Sequence, residues 1–148
     1  MLTVIEKVMF LQNVEVFSEV PSEQLAFLAA IAEEVTYAKG NVIYQVNDPS
    51  DALYLVLDGS VKLHTDETEI TLAGSREAFG AWALFDEEPR VVTATAVEDT
   101  RLLRIDREDF VDLLADHVQI TQAILKSMVS RLRNLVDRVG LDRASPNP

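Results

Sequence analysis

The chain has 148 residues, of which 48% are hydrophobic, and carries a formal net charge of −12. That length suits one domain with one core, and no apolar stretch approaches the roughly 18 uncharged residues a membrane span needs, so neither a transmembrane helix nor a signal peptide is expected. The absence of cysteine removes disulfides and thiolate metal sites and suits a reducing, cytoplasmic compartment, while the acidic balance disfavours direct contact with nucleic acid, which is driven by Lys and Arg on phosphates.

From Thr3 to Leu11 the apolar residues Val4, Ile5, Val8, Met9 and Leu11 recur near helical spacing, which predicts a short amphipathic helix. A second helix is predicted from Pro21, Ser22 and Glu23 onward, with Leu25, Leu28, Ala29 and Ala32 as its buried stripe. The period then changes to two. Val35, Tyr37, Val42, Tyr44 and Val46 predict two short strands about a turn at Ala38-Lys39-Gly40-Asn41. Asn47-Asp48-Pro49-Ser50 is dense in turn formers, and Ala52 to Leu57 is a strongly apolar strand. Asp58-Gly59 predicts a type I′ hairpin turn, with Val61 and Leu63 on the partner strand.

Ile70 and Leu72 suggest another strand before a loop at Gly74-Ser75, and further strands are read at Val91–Val97 and Arg101–Ile105. Asp106 is placed to cap a helix over Arg107–Leu114, and a longer helix runs from Val118 to Val139, where Gly140 stops it. Short strands at intervals near ten residues, with helices only at the two ends, predict a mainly β fold: a jelly-roll-like antiparallel β-roll with N-terminal helices and two C-terminal helices. The expected organisation is one domain over residues 1–140, with helices in 1–33, the roll in 34–105 and helices in 106–140, followed by a flexible tail over 141–148.

Residues 79–93 carry the candidate chemistry: Phe79-Gly80-Ala81-Trp82-Ala83-Leu84-Phe85-Asp86-Glu87-Glu88-Pro89-Arg90-Val91-Val92-Thr93. One helical turn after Gly80 would aim the amides of Trp82, Ala83 and Leu84 at a single spot, which suits a phosphate. Arg90, returned by the next strand, would close such a site with a forked pair of hydrogen bonds. The other reading of Arg90 is a surface ion pair with Asp86-Glu87-Glu88, worth little. Trp82 is read as a packing residue, with stacking on a base as the alternative.

This segment resembles the phosphate-binding cassette of cyclic-nucleotide-binding domains, which runs Phe-Gly-Glu-x-Ala-Leu, four variable residues, then Pro-Arg-x-Ala-Thr. Gly80, Ala83, Leu84, Pro89, Arg90 and Thr93 fit it without a gap, and the flanking helices and strands extend the resemblance over nearly the whole chain. It implies a regulatory β-roll that binds a cyclic nucleotide, cAMP or cGMP, or a related small anion, through Gly80, Ala81, Trp82, Ala83, Leu84, Arg90, Val91 and Thr93, and that moves its C-terminal helix. The chain departs from the pattern at Ala81, where the family has a Glu that accepts a hydrogen bond from the ribose 2′-hydroxyl. Losing a charge-assisted hydrogen bond weakens binding by roughly ten- to a hundredfold. The amide of Val91 remains able to serve a phosphate, because a backbone contact needs no particular side chain.

No catalytic set is visible, so no enzymatic activity, cofactor or metal is expected. His64 and His117 stand in no metal-ligand spacing and are read as solvent-side residues, and Ser60, Ser75, Ser127 and Ser130 lack a nucleophile-elbow context. On the last helix Leu125, Met128, Leu132, Leu135 and Val139 step by three and four residues as a short coiled-coil seam, with Ile120, Ile124 and Val136 facing the roll. A homodimer through residues 118–139 follows from that seam; the competing reading packs all of these residues on their own domain. Lys126, Arg131, Arg133 and Arg138 make the helix locally basic, suited to a partner's acidic surface. A second functional reading is an interaction or dimerisation domain that kept the roll and lost the ligand. A third, a transcription factor of the catabolite-activator type, is disfavoured because only a short tail follows Val139.

Overall fold

A computed structural model describes residues 1–66 and 68–140, with Trp82 described in its backbone only. The predicted tail lies outside the described residues. The elements in chain order are α1 (Val4–Leu11), a 3-10 turn (Glu15–Phe17), α2 (Ser22–Ile31), β1 (Ala32–Tyr37), β2 (Val42–Tyr44), β3 (Ala52–Asp58), β4 (Val61–His64), β5 (Glu69–Ala73), β6 (Ala78–Phe79), a short 3-10 helix (Ala81–Leu84), β7 (Thr93–Ala96), β8 (Thr100–Asp106), α3 (Arg107–Asp116) and α4 (Val118–Val139).

The strands form two four-stranded antiparallel sheets, in the orders β1-β8-β3-β6 and β2-β7-β4-β5. The central strand β3 explains the layering. Its residues Ala52 to Leu57 are all buried, which a strand covered on one face cannot be. Leu53, Leu55 and Leu57 pack with the helices, around Phe17, Leu25, Leu28, Phe110, Ile120 and Ile124. Tyr54 and Val56, one step out of phase, pack against the second sheet with Tyr44, Val61, Phe79 and Ala94. Period-two alternation therefore serves two cores, one between helices and sheet and one between the sheets.

Two local predictions are corrected. Asp58-Gly59 does not turn a hairpin: β3 pairs with β8 and β6, whereas β4 pairs with β5 and β7. Gly59 instead carries the chain from one sheet to the other at φ +101°, and a Cβ there would lie 2.5 Å from Thr100 Oγ1 and 2.7 Å from the Asp99 carbonyl. β1 and β2 flank their turn as expected, each joining a different sheet. The strand read at Val91–Val97 begins only at Thr93, because Arg90 is tied to the preceding loop, with Asn47 N–H donating to its carbonyl (2.8 Å) and its own N–H donating to Asp48 (2.9 Å).

At the ends, Thr3 caps α1 with a reciprocal Thr3–Glu6 box, and Asp106 caps α3 by accepting from Glu108 N–H. Val4, Ile5 and Met9 are exposed, so α1 buries less of its apolar content than its pattern promised. α4 ends at Gly140, which is left-handed at φ +78°. Ile120 and Ile124 are buried against the helical core, and Met128 packs partly on it. Leu125, Leu132, Leu135 and Val139 are 54–67% exposed, which overturns the reading that the whole apolar set packs on its own domain.

The basic residues of α4 are also partly spoken for within the chain. Lys126 pairs with Glu19 at 3.6 Å and Arg131 with Glu15 at 3.1 Å, both exposed pairs at and just after the Glu15–Phe17 turn that contribute little to stability. Among the described residues no helix is long and apolar enough to cross a membrane.

Candidate ligand site

The segment from Phe79 to Thr93 wraps one side of a cavity of about 800 Å³ between the two sheets, within the range of small-molecule sites. Gly80, Ala81, Ala83, Arg90 and Val91 line it. Glycine suits position 80 by its backbone, and an added Cβ would also push on the Arg90 guanidinium. The φ of Gly80 is +75°, and a Cβ would lie 2.6 Å from Arg90 Nη1. The short helix that follows is held by its apolar residues, with Ala83 and Leu84 buried and Leu84 set in the helix-side core. The Ala83 amide donates to the Gly80 carbonyl at 3.1 Å, so it closes the turn and is not free as the sequence suggested.

Leu84 and Thr93 stand outside the cavity lining. Thr93 accepts from Val46 N–H at 3.1 Å through its hydroxyl and ties β7 to the loop after β2. The side chain of Trp82 lies outside the described residues, so neither its packing nor its stacking role receives a placement. Val91 is 71% exposed at the cavity rim.

Arg90 is the unusual residue. It is only 6% exposed, which excludes the surface ion-pair reading. Glu87 pairs with Arg107 at 3.2 Å, and Asp86 accepts from the Glu88 amide. The carboxylate near Arg90 is Asp51, 3.8 Å away and itself largely exposed. Nη2 donates to the Ala52 carbonyl at 2.7 Å, and Nη1 makes a long contact of 3.4 Å with the Gly80 carbonyl. The Nε–H is buried without a partner among the described residues. A guanidinium has five N–H groups, and a buried charge normally has its hydrogen bonds met; this one retains donor capacity beside a cavity.

The sequence pointed to one wall of the site and missed the other. Tyr44, Asn47, Ser50 and Leu63 come from β2, the loop after it and β4. Tyr44 lies beneath Arg90, with the guanidinium carbon 4.0 Å from its ring centroid. Burial pushes the Tyr44 hydroxyl above its ordinary value, and the Arg90 charge pulls it part of the way back. The one signal for this wall was the cluster of turn formers at 47–50. Asn47 adopts a left-handed φ of +74°, a conformation Asn tolerates well.

Neither histidine is a free surface group. His64 is half-buried, with Nδ1 3.0 Å from the Thr65 carbonyl and Nε2 2.8 Å from the Thr95 hydroxyl. The His117 ring sits 4.2 Å from that of Phe27. Ser127 is buried and accepts from the Glu19 amide at 3.1 Å, a structural position at the base of α4. Among the described residues no cluster of three or more His, Cys, Asp or Glu is arranged for a metal.

Two antiparallel sheets with flanking helices, and a cavity beside one turn of helix and a buried arginine, give the architecture of a β-roll domain. Comparison with known proteins narrows this. The family model described as "Cyclic nucleotide-binding domain" matches residues 34–117, and the chain belongs to that family.

Among its relatives, a "CRP-like cAMP-activated global transcriptional regulator" of Mycobacterium tuberculosis is 28% identical over 136 residues, covering 86% of this chain and 61% of that protein. The chain thus spans under two thirds of that regulator's length. Lysophospholipase nte1 of Aspergillus oryzae is 36% identical over 110 residues, which are 71% of this chain and 7% of that one. The solved N-terminal domain of a transcriptional regulator from Streptomyces coelicolor A3(2) superposes with a TM-score of 0.80 at 33% identity, over 88% of this chain and 94% of that one.

Proposed function

We propose that this chain is a ligand-sensing regulatory domain whose cavity takes a cyclic nucleotide, cAMP ahead of cGMP, with the phosphate at Arg90 and the short helix after Gly80. The observation that carries the reading is the buried Arg90 guanidinium, with its Nε–H unpaired among the described residues, beside a cavity of about 800 Å³. An anion in the cavity accepting from the Arg90 guanidinium would gain a charge-assisted bond. The similarity to a cAMP-activated regulator supports placing cAMP first. The proposed binding set is Gly80, Ala81, Trp82, Ala83, Arg90 and Val91, with Leu84 and Thr93 holding the two ends of the segment in place.

Output through the C-terminal helices is supported by two contacts. Phe85, one residue past the short helix, meets Phe110 of α3 edge-on at 5.6 Å. Asp51, beside Arg90, also lies 3.7 Å from Arg104, which reaches Asp106, the cap of α3, at 3.3 Å. A ligand that engages Arg90 in place bears on Asp51 and, through Arg104, on the α3 cap, and it shifts the helices only to the extent that it binds one arrangement better than the other. The exposed seam of α4 supports a homodimer as the receiver. A cytoplasmic setting suits such a sensor, and no nucleic-acid contact is proposed for an assembly unit this acidic.

The test is thermal stabilisation of the purified chain by cAMP at millimolar concentration, as mass action requires of a ligand bound to the native state. Arg90→Ala is expected to abolish the shift and Arg90→Lys to restore part of it, since an ammonium lacks the planar fork. Equal shifts in wild type and Arg90→Ala would exclude this site. A second reading, an interaction module without nucleotide, is favoured by Ala81 and the exposed α4 seam; it predicts no shift with either cyclic nucleotide.

A further inference from the structure

Arg90 is buried, yet it has no carboxylate at close hydrogen-bonding distance to hold it: Asp51 is 3.8 Å away and largely exposed. The Arg90 Nη atoms reach the Ala52 and Gly80 carbonyls, and an aromatic ring lies against the guanidinium face. The Arg90 guanidinium carbon stands 4.0 Å from the centroid of Tyr44, well inside the roughly 6 Å reach of a cation–π contact. Tyr44 is itself fixed. Its ring centroid is 6.1 Å from those of Tyr54 and Phe79, which stack on each other at 5.3 Å with an interplanar angle of 12°.

The backbones carrying the two residues are joined as well, through Asn47 N–H to the Arg90 carbonyl and Arg90 N–H to the Asp48 carbonyl. Tyr44 is the last residue of β2, pairs with Ala94 of β7 just after a register shift, and lines the cavity.

We propose that Tyr44 is the positioning residue of the anion site: its ring is the platform that holds the Arg90 guanidinium desolvated and oriented before any ligand arrives. The inference rests on the cyclic-nucleotide reading for its ligand, though not for its geometry. A ring contact restrains the charge without consuming N–H donors, as a carboxylate partner would. Burial keeps the phenol neutral well into the alkaline range, so the platform adds no negative charge to repel a phosphate. A ligand then binds an arginine whose freezing and dehydration have already occurred, which raises affinity by preorganisation. On this account the side chain at position 44 controls affinity through Arg90, and its effect follows the cation–π order Trp, Tyr, Phe, with an aliphatic residue last.

The experiment compares wild type, Tyr44→Phe and Tyr44→Met for cAMP affinity by calorimetric titration, together with the Arg90 guanidinium N–H resonances by NMR in the ligand-free chain. Tyr44→Phe keeps the ring and is expected to bind within about threefold of wild type, whereas Tyr44→Met, which keeps apolar bulk without a ring, loses about three- to thirtyfold. In an Arg90→Ala background the methionine substitution is expected to change nothing further. Equal affinities in wild type and Tyr44→Met would overturn the inference.

The NMR arm separates the two proposals. If wild type binds no cAMP, the functional reading fails, and the platform stands or falls on whether the Arg90 resonances, assigned by their loss in Arg90→Lys, are displaced by the ring current of Tyr44. Ordinary arginine positions in wild type would refute it even if Tyr44→Met does not fold.

Discussion

Ala81 offers the cavity a methyl group where the family pattern places a carboxylate. The ribose 2′-hydroxyl of a bound nucleotide therefore has no acceptor at that position. Ala81→Glu is expected to tighten cAMP by about ten- to a hundredfold, the value of one charge-assisted hydrogen bond. The 2′-deoxy analogue should gain nothing, because it lacks the donor. Titrating both compounds into both proteins checks this, and an equal gain for the two would show that the glutamate acts through something other than the ribose.

A second consequence at this scale concerns pH. Burial raises the Tyr44 and Tyr37 hydroxyls above their ordinary ~10. The folded state thus holds these protons more tightly than the unfolded chain does. The associated stability is intact below pH ~10 and is lost as pH rises from there through the folded values. Urea unfolding at pH 8 and above pH 10 should show a falling midpoint, and Tyr44→Phe should remove part of the fall.

Among the elements, the crossing from β3 to β4 and the exposed face of α4 carry the clearest tests. Gly59 combines a left-handed φ with backbone atoms under 3 Å from any added Cβ, so Gly59→Ala is expected to destabilise the protein by roughly 2–4 kcal/mol. Gly40, at φ +88° with nothing within 4 Å, should lose only about 1 kcal/mol on the same change. Chemical denaturation of the two variants compares strain alone with strain plus collision.

On α4, Leu132 is 62% exposed in the single chain. Leu132→Asp should therefore leave the monomer's own stability within about 0.5 kcal/mol. In a dimer it would bury an unpaired charge and so disrupt the assembly. Sedimentation is expected to show a wild-type dimer and a soluble Leu132→Asp monomer; a wild-type monomer at high concentration would end the seam reading.

For the molecule as a whole, the sequence alone determined most of the order of elements, though not the turn at Glu15–Phe17 or the short β6, together with the mainly β class and the segment that carries the candidate site. Those depend on local chemistry: periodicities of 3.6 and 2, a capping Asp106, a stop at Gly140 and a gapless cassette from Gly80 to Thr93. Only the tertiary structure decided which strands pair. Asp58-Gly59 has the composition of a hairpin turn, yet the unbroken burial of β3 demands cover on both faces, and that demand sends β4 to the opposite sheet.

Tertiary structure also decided what Arg90 touches. Tyr44 and Asp51 precede it by dozens of residues, and no spacing rule connects them. Ion pairing with the acidic triplet beside it was the local option, and burial overrode it. A long-range contact leaves no periodic trace in a single sequence, because its partners are selected by the packing of two sheets and not by their neighbours along the chain.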